Sequence, residues 1–374
     1  MELARQEPRD ATGVRQMRSE AQLSESRERF ARGFWAKERL DRPAVAVTSP
    51  GQWLPMEYLQ APLTEVRLRP TDVSGVARQT DVAYDQAHRR VWCDDWIPYN
   101  APWRAVPWLE AICGCGVHVG GGAMSPLACV DSAAALAGAV LPARADWLAS
   151  LWQETAQAQQ ATGAGAYVSP TILRGVSDVL AAMRGLTEFY CDVLTEPGAI
   201  GRAAELVNDV LIEVLKGHFS RVGDAGAGYG NVYGYWSPGP TVVLQEDALG
   251  MCSPATYAEM FAPLTAAVVA ALGEQVLFHL HSTGCGHWRE VLAVPALAGL
   301  ELTLEANGPE PVALEPMLRE ILEQHRLILF IDGYFEESLA LLRRLPREGL
   351  YVIVSSRDVP DEGAWRRLLA GMGV

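Results

Sequence analysis

Gln275-Val276-Leu277-Phe278-His279-Leu280-His281-Ser282-Thr283-Gly284 joins an apolar run to two imidazoles and then to a turn. In a strand, residues two apart project from one face, so His279 and His281 are expected together at the strand's carboxyl end. α/β barrels gather their chemistry at that end, and a metal ion or an anionic substrate could be held between the two rings.

Short apolar runs ending in Gly, Ser, Asp or His recur along the chain at residues 44–47, 116–119, 164–168, 229–235, 276–281, 300–304, 327–331 and 351–354, giving eight candidate strands. Helical periodicity fills the later intervals at 254–272, 288–297, 312–324, 336–345 and 363–369. Successive late strands lie about 24 to 28 residues apart, close to one βα unit. The expected fold is α/β, a single (β/α)8 TIM barrel over residues 41–374. A charged helical arm over residues 1–40 precedes it, and a Trp- and Pro-rich inserted loop at 91–108 covers the barrel mouth.

With 374 residues, 49% of them apolar and 20% charged, the chain can bury a barrel-sized core. A net charge of −14 argues against nonspecific binding to nucleic acid or to an anionic membrane, both of which need clustered Lys and Arg. No run approaches the roughly 18 uninterrupted apolar residues of a membrane span, and the charged N-terminus has no apolar signal core. The expected location is cytoplasmic. Seven scattered cysteines read as reduced thiols rather than a disulfide framework, and Cys113-Gly114-Cys115 is too closely spaced for the usual zinc knuckle.

Four segments together resemble the uroporphyrinogen decarboxylase superfamily. They are Pro107-Trp108-Leu109-Glu110-Ala111-Ile112-Cys113-Gly114-Cys115, Leu173-Arg174-Gly175-Val176-Ser177-Asp178, Gln245-Glu246-Asp247-Ala248 with Met251-Cys252-Ser253-Pro254, and the His-x-His strand. That superfamily includes corrinoid-linked methyltransferases and is distantly related to cobalamin-independent methionine synthase. The resemblance covers most of the chain after about Phe30 and implies the same barrel. Two departures narrow it. Thr48-Ser49-Pro50-Gly51-Gln52-Trp53 stands where the decarboxylases carry an Arg- and Gly-rich motif for the tetrapyrrole carboxylates. His281 stands where zinc-dependent methyltransferases carry the Cys of His-x-Cys, and Ser355-Ser356 lies near the place of their second Cys.

Imidazole and carboxylate can still make a zinc site. Glu305 and Glu301 share a face of the next strand and are candidate third ligands, with Glu305 the first choice. The bland alternative is that the histidines only hydrogen-bond neighbouring carboxylates, as buried imidazoles must find partners. Glu305 could also serve as general acid or base, and Asp332 is a second acid at a strand end. Arg174 is the candidate for a substrate carboxylate through its planar fork. Glu246 and Asp247, Asn307, Tyr334 and Trp236 complete the candidate substrate contacts, although neighbours on a strand face opposite ways and Asp247 could instead cap backbone amides. Eleven Trp and clustered aromatics at 92–108 and 229–236 would suit a lid and a wall, or simply pack those loops.

Three functions fit. The first is methyl transfer between a small methylated substrate and a thiol or a corrinoid protein, with zinc at His279 and His281. The second is metal-independent decarboxylation or lysis of a carboxylate held by Arg174. The third is ligand binding without turnover. The partners expected are a small molecule, a corrinoid protein in the first case, and a second copy of the chain in a homodimer.

Overall fold

The computed structural model describes residues 19–48, 66–73, 95–120, 123–139, 145–163, 165–223, 228–305, 307–332, 335–355 and 362–372. Its centre is a parallel sheet of six strands. In spatial order they are Ala44–Thr48, Leu350–Ser355, Arg326–Ile331, Gly299–Leu304, Val276–His281 and Val242–Leu244. The last four strands in sequence, with the helices between them, follow the late pattern read above. Each strand is buried on both faces, which is why the sequences run apolar rather than alternating.

The two faces serve different cores. Val276, Phe278 and Leu280, with Leu300, Leu302 and Leu304, belong to the cluster shared with the surrounding helices. Ala46, Leu277, Ile328 and Ile353 belong to a second cluster on the inner face. Burying each such aliphatic side chain contributes roughly 1.5–3 kcal/mol. Phe30, Phe34 and Trp35 join the inner cluster, so this part of the expected solvated arm instead seats its aromatics against the sheet. Tyr235 and Tyr351 receive them edge-on or tilted.

Three of the expected strands lie outside this six-stranded sheet. Gly116–Gly120 pairs antiparallel with Val66–Leu68 and Ala123–Leu127 in a separate sheet. Among the described residues Tyr167–Val168 pairs with Tyr99–Asn100. The run at 229–235 makes the two-residue pairing Tyr229–Gly230 with Trp236–Ser237. Val242–Leu244, not among the eight candidate strands, takes the sheet position beside the histidine strand. Among the described residues no continuous ladder closes the sheet into a barrel.

Helices fill the middle of the chain, including Ala145–Ala161, Val176–Arg184 and the 26-residue Pro197–Val222. Pro254–Leu272 has the length and mean hydropathy, 1.4, of a membrane span. It lies against Pro197–Val222 and buries Phe261, Val268 and Val269.

Candidate functional site

Register places the chemistry in layers on the inner face. His279 pairs with Glu301, Glu301 with Ile328, and Ile328 with Tyr351; one step toward the carboxyl end, His281 pairs with Thr303. Leu280 faces the helices instead. The two rings therefore share one space, with their Nε2 atoms 3.0 Å apart and their planes at 86°.

Asp247 supplies the third corner. Its Oδ1 lies 3.7 Å from His279 Nε2 and 3.6 Å from His281 Nε2. For metal bonds of about 2.0–2.1 Å a tetrahedron has edges of about 3.3 Å. The three observed edges bracket that value, so Asp247, His279 and His281 could hold a metal ion. Each histidine's other nitrogen faces a carboxylate: His279 Nδ1 bonds Glu301, and His281 Nδ1 lies 3.0 Å from Glu305 Oε1, outside hydrogen-bond alignment. Carboxylates on Nδ1 are how metal-binding imidazoles are held with Nε2 turned to the ion.

Glu301 is fully buried, and its second oxygen accepts from Thr303 Oγ1 at 3.0 Å. Burial alone would lower the His279 pKa, but the charge and hydrogen bond of Glu301, with Asp247 and Asp178 nearby, outweigh it and raise the value to about 9. Without a metal His279 is thus an imidazolium. Glu305 is held from its other side by Thr283 Oγ1 at 2.6 Å, and its amide donates to Ser282 Oγ at 3.1 Å.

Asp247 is aimed by a pair of crossed caps. Glu246 turns away from the site and accepts from the amides of Val176 at 2.9 Å and Ser177 at 2.7 Å, at the start of helix Val176–Arg184. Asp178, in that helix's first turn, accepts in return from the amides of Asp247 at 3.2 Å and Ala248 at 2.7 Å. Unpaired amides at helix starts attract such carboxylates. Gly175 permits the approach, since a Cβ there would collide with Gln245 O and the Glu246 carboxylate. Burial pushes the Glu246 carboxyl up to about 7 against these hydrogen bonds. It also raises that of Asp178, which faces two neighbouring carboxylates.

Arg174 stands at the same end, bridging by one parallel pairing to Gln245. Its guanidinium pairs with Glu110, a fully buried carboxylate, and keeps 38% of the side chain exposed. Burial works against its charge, but Glu110 first, then Asp178 and Asp247, outweigh it and hold the guanidinium protonated. Three separate segments, around Glu110, Arg174 and Glu246, are thereby bonded to one another beside the histidines. Tyr233 lies deeper, its hydroxyl accepting from Gln245 Nε2 at 3.2 Å. Burial, first, and the nearby Glu301 and Asp247 charges hold that phenol neutral.

The other sequence candidates are dispersed. Asn307 is exposed in the turn closed by Gly308 N–H to Glu305 O at 2.8 Å. Asp332 ends its strand beside the Glu305 strand end, its amide 3.3 Å from Leu304 O. Trp236 lies toward the opposite, amino end: its carbonyl accepts from Trp35 Nε1 at 2.7 Å, and Trp35 O accepts from Arg326, the first residue of its strand. Tyr334, Trp92 and Ser356 lie outside the described residues. Trp103 and Trp108 are buried in the helix-facing core, so they pack the loop rather than line a wall. Ser355 is buried with no hydrogen-bond partner for its hydroxyl among the described residues.

Neither a protein-family model nor a curated protein sequence matches the chain. Its structure is similar to that of a methyltransferase from Methanosarcina mazei, with a TM-score of 0.58 at 13% identity over 93% of this chain and 98% of that one. At that identity the likeness is one of fold.

Proposed function

We propose that the chain is a zinc-dependent enzyme of the uroporphyrinogen decarboxylase-like superfamily that transfers a methyl group to a thiol, from a small methylated compound or a corrinoid protein. The observation that carries this reading is the polarity of the two imidazoles, with both Nε2 atoms and Asp247 Oδ1 converging while both Nδ1 atoms face carboxylates. The fold likeness to a methyltransferase supports the reaction class.

The same proposal takes the sheet as an interrupted (β/α)8 barrel. In its support, the Arg174 to Gln245 bridge continues one sheet edge, Tyr99–Asn100 pairs with Tyr167–Val168, and Asp95 N–H reaches Val45 O at 2.7 Å on the other edge.

Zinc bound by Asp247, His279 and His281 would lower the pKa of an acceptor thiol and make it a nucleophile near neutral pH. The chain's own groups do the rest. Glu301 fixes the orientation of His279, and the crossed caps hold Asp247. Glu305, one-third exposed, is placed to take the proton that the thiol releases. Arg174, anchored by Glu110 but open on its other side, offers a fork for an anionic group of the substrate.

The test supplies methylcobalamin as donor and a simple alkanethiol as acceptor to zinc-loaded protein. Loss of the methyl–cobalt absorbance with formation of the methyl thioether, absent in His281→Ala, is the expected result. No demethylation by the zinc-loaded, folded chain would overturn the reading, and carbon dioxide release from a carboxylate by metal-free protein would favour a lyase.

A further inference from the structure

Cys115 and Cys129 stand outside the proposed methyl-transfer chemistry. Cys115 follows the helix Trp108–Cys113, is fully buried, and immediately precedes the strand Gly116–Gly120. That strand pairs antiparallel with Ala123–Leu127, with Gly116 opposite Leu127, so both cysteines lie just beyond the last paired residues of one hairpin. The register sets Cys115 opposite position 128, one step along the chain from Cys129, so the two residues are neighbours at the end of the hairpin. The two sulfurs are 4.0 Å apart, and Cys129 is exposed. The Cys129 amide donates to Met183 O at 2.9 Å, which fixes its backbone on the helix behind.

We propose that Cys115 and Cys129 form a thiol pair that is oxidised to an intramolecular disulfide by low-molecular-weight disulfides. The Cys129 thiolate attacks one sulfur of RS–SR, a mixed disulfide forms on Cys129, and one RS⁻ leaves and takes up a proton. Cys115 then gives up its proton and attacks Cys129 Sγ. The Cys115–Cys129 bond forms and the second RSH departs. Two protein thiols have lost two electrons, and RSSR has become two RSH.

The division of labour follows from position. Cys129 is exposed, so its sulfur is the one that a dissolved disulfide reaches, and the contact between the two sulfurs draws its pKa down to about 7, while that contact and burial raise Cys115. Cys113 is pushed up by burial and has no such contact among the described residues. The disulfide would tie the hairpin to the end of the helix that carries Glu110, since Cys115 N–H already bonds Glu110 O at 2.8 Å.

Full-length protein is incubated with oxidised glutathione at pH 7, quenched with acid, and analysed by intact mass and non-reducing peptide mapping. The expected product has lost two hydrogens and yields a Cys115–Cys129 linked peptide. Cys115→Ala should stop at a glutathione adduct on Cys129, and Cys129→Ala should leave Cys115 unmodified. A stable adduct on wild-type Cys129 without an internal bond, a bridge through Cys113, or an unmodified pair would each overturn the proposal. Because the wild-type map alone decides between these outcomes, a variant that fails to fold does not affect the result.

Discussion

His279 and His281 bring their Nε2 atoms to 3.0 Å, although Leu280 between them is buried in the helix-facing core. Two imidazole nitrogens that close are joined either by a hydrogen, the N–H of one ring donating to the lone pair of the other, or by a metal ion. With Glu301 beside it, His279 is protonated in the metal-free protein, so metal binding has to displace a proton. Asp247, 3.6 and 3.7 Å from the two nitrogens, adds the negative charge that favours either cation.

Glu301→Gln keeps the shape of the Nδ1 partner and removes its charge. Zinc affinity is expected to fall about 10- to 100-fold, the usual effect of losing a carboxylate behind a histidine ligand. A competition titration with a chromogenic chelator measures it. Glu305→Gln, whose contact is poorly aligned and more exposed, should lose less. Equal affinity in Glu301→Gln and wild type would mean that the Glu301 contact does not hold His279 for a metal.

The crossed caps join stability to the site. Replacing Asp178 with Ala leaves the amides of Asp247 and Ala248 without their acceptor. A cost of about 1–2 kcal/mol in urea unfolding is expected, together with weaker zinc binding because Asp247 loses its support. Lower stability with unchanged zinc affinity would separate the cap from the site.

The sequence carried the late half of the fold because 276–281, 300–304, 327–331 and 351–354 are strands long enough to read and are followed by periodic helices. The middle was harder. Helix Val176–Arg184 buries Val176, Ser177, Asp178, Val179, Leu180, Ala181 and Met183, so no polar face marks its period. Tyr99–Asn100 and Tyr167–Val168 are two residues each, too short to show alternation. At the site, the shared face of the histidines was legible from strand parity alone. The sequence alone reads Asp247 as a substrate contact, yet Val243, Gln245 and Asp247 continue one parity, and Val243 belongs to the inner core. That alternation was the available signal for the third corner. Its partner role for Glu246, facing the other way to cap a helix 70 residues earlier, depends on tertiary packing that no local pattern encodes.

His218 predicts a pH dependence away from the site. It is buried beside Phe219, and burial, opposed by a hydrogen bond from its ring to Val168 backbone, lowers its pKa from 6.5 to about 4. The unfolded chain binds the proton more readily, so the stability associated with neutral His218 is complete above about pH 6.5 and is lost as pH falls toward 4. Between pH 7 and pH 5 the loss is about 2 kcal/mol. The unfolding free energies obtained from urea titrations at the two pH values should therefore converge by about that amount in His218→Gln. An unchanged pH difference in that variant would contradict the assignment.

The most direct test is the zinc content of protein stripped with chelator, reloaded with excess zinc and desalted, measured by elemental analysis for wild type and His281→Ala. The account predicts close to one tightly held zinc per wild-type chain and its loss in a variant that remains folded. A folded wild-type chain that retains no zinc, or a His281→Ala chain that retains as much as wild type, would contradict it.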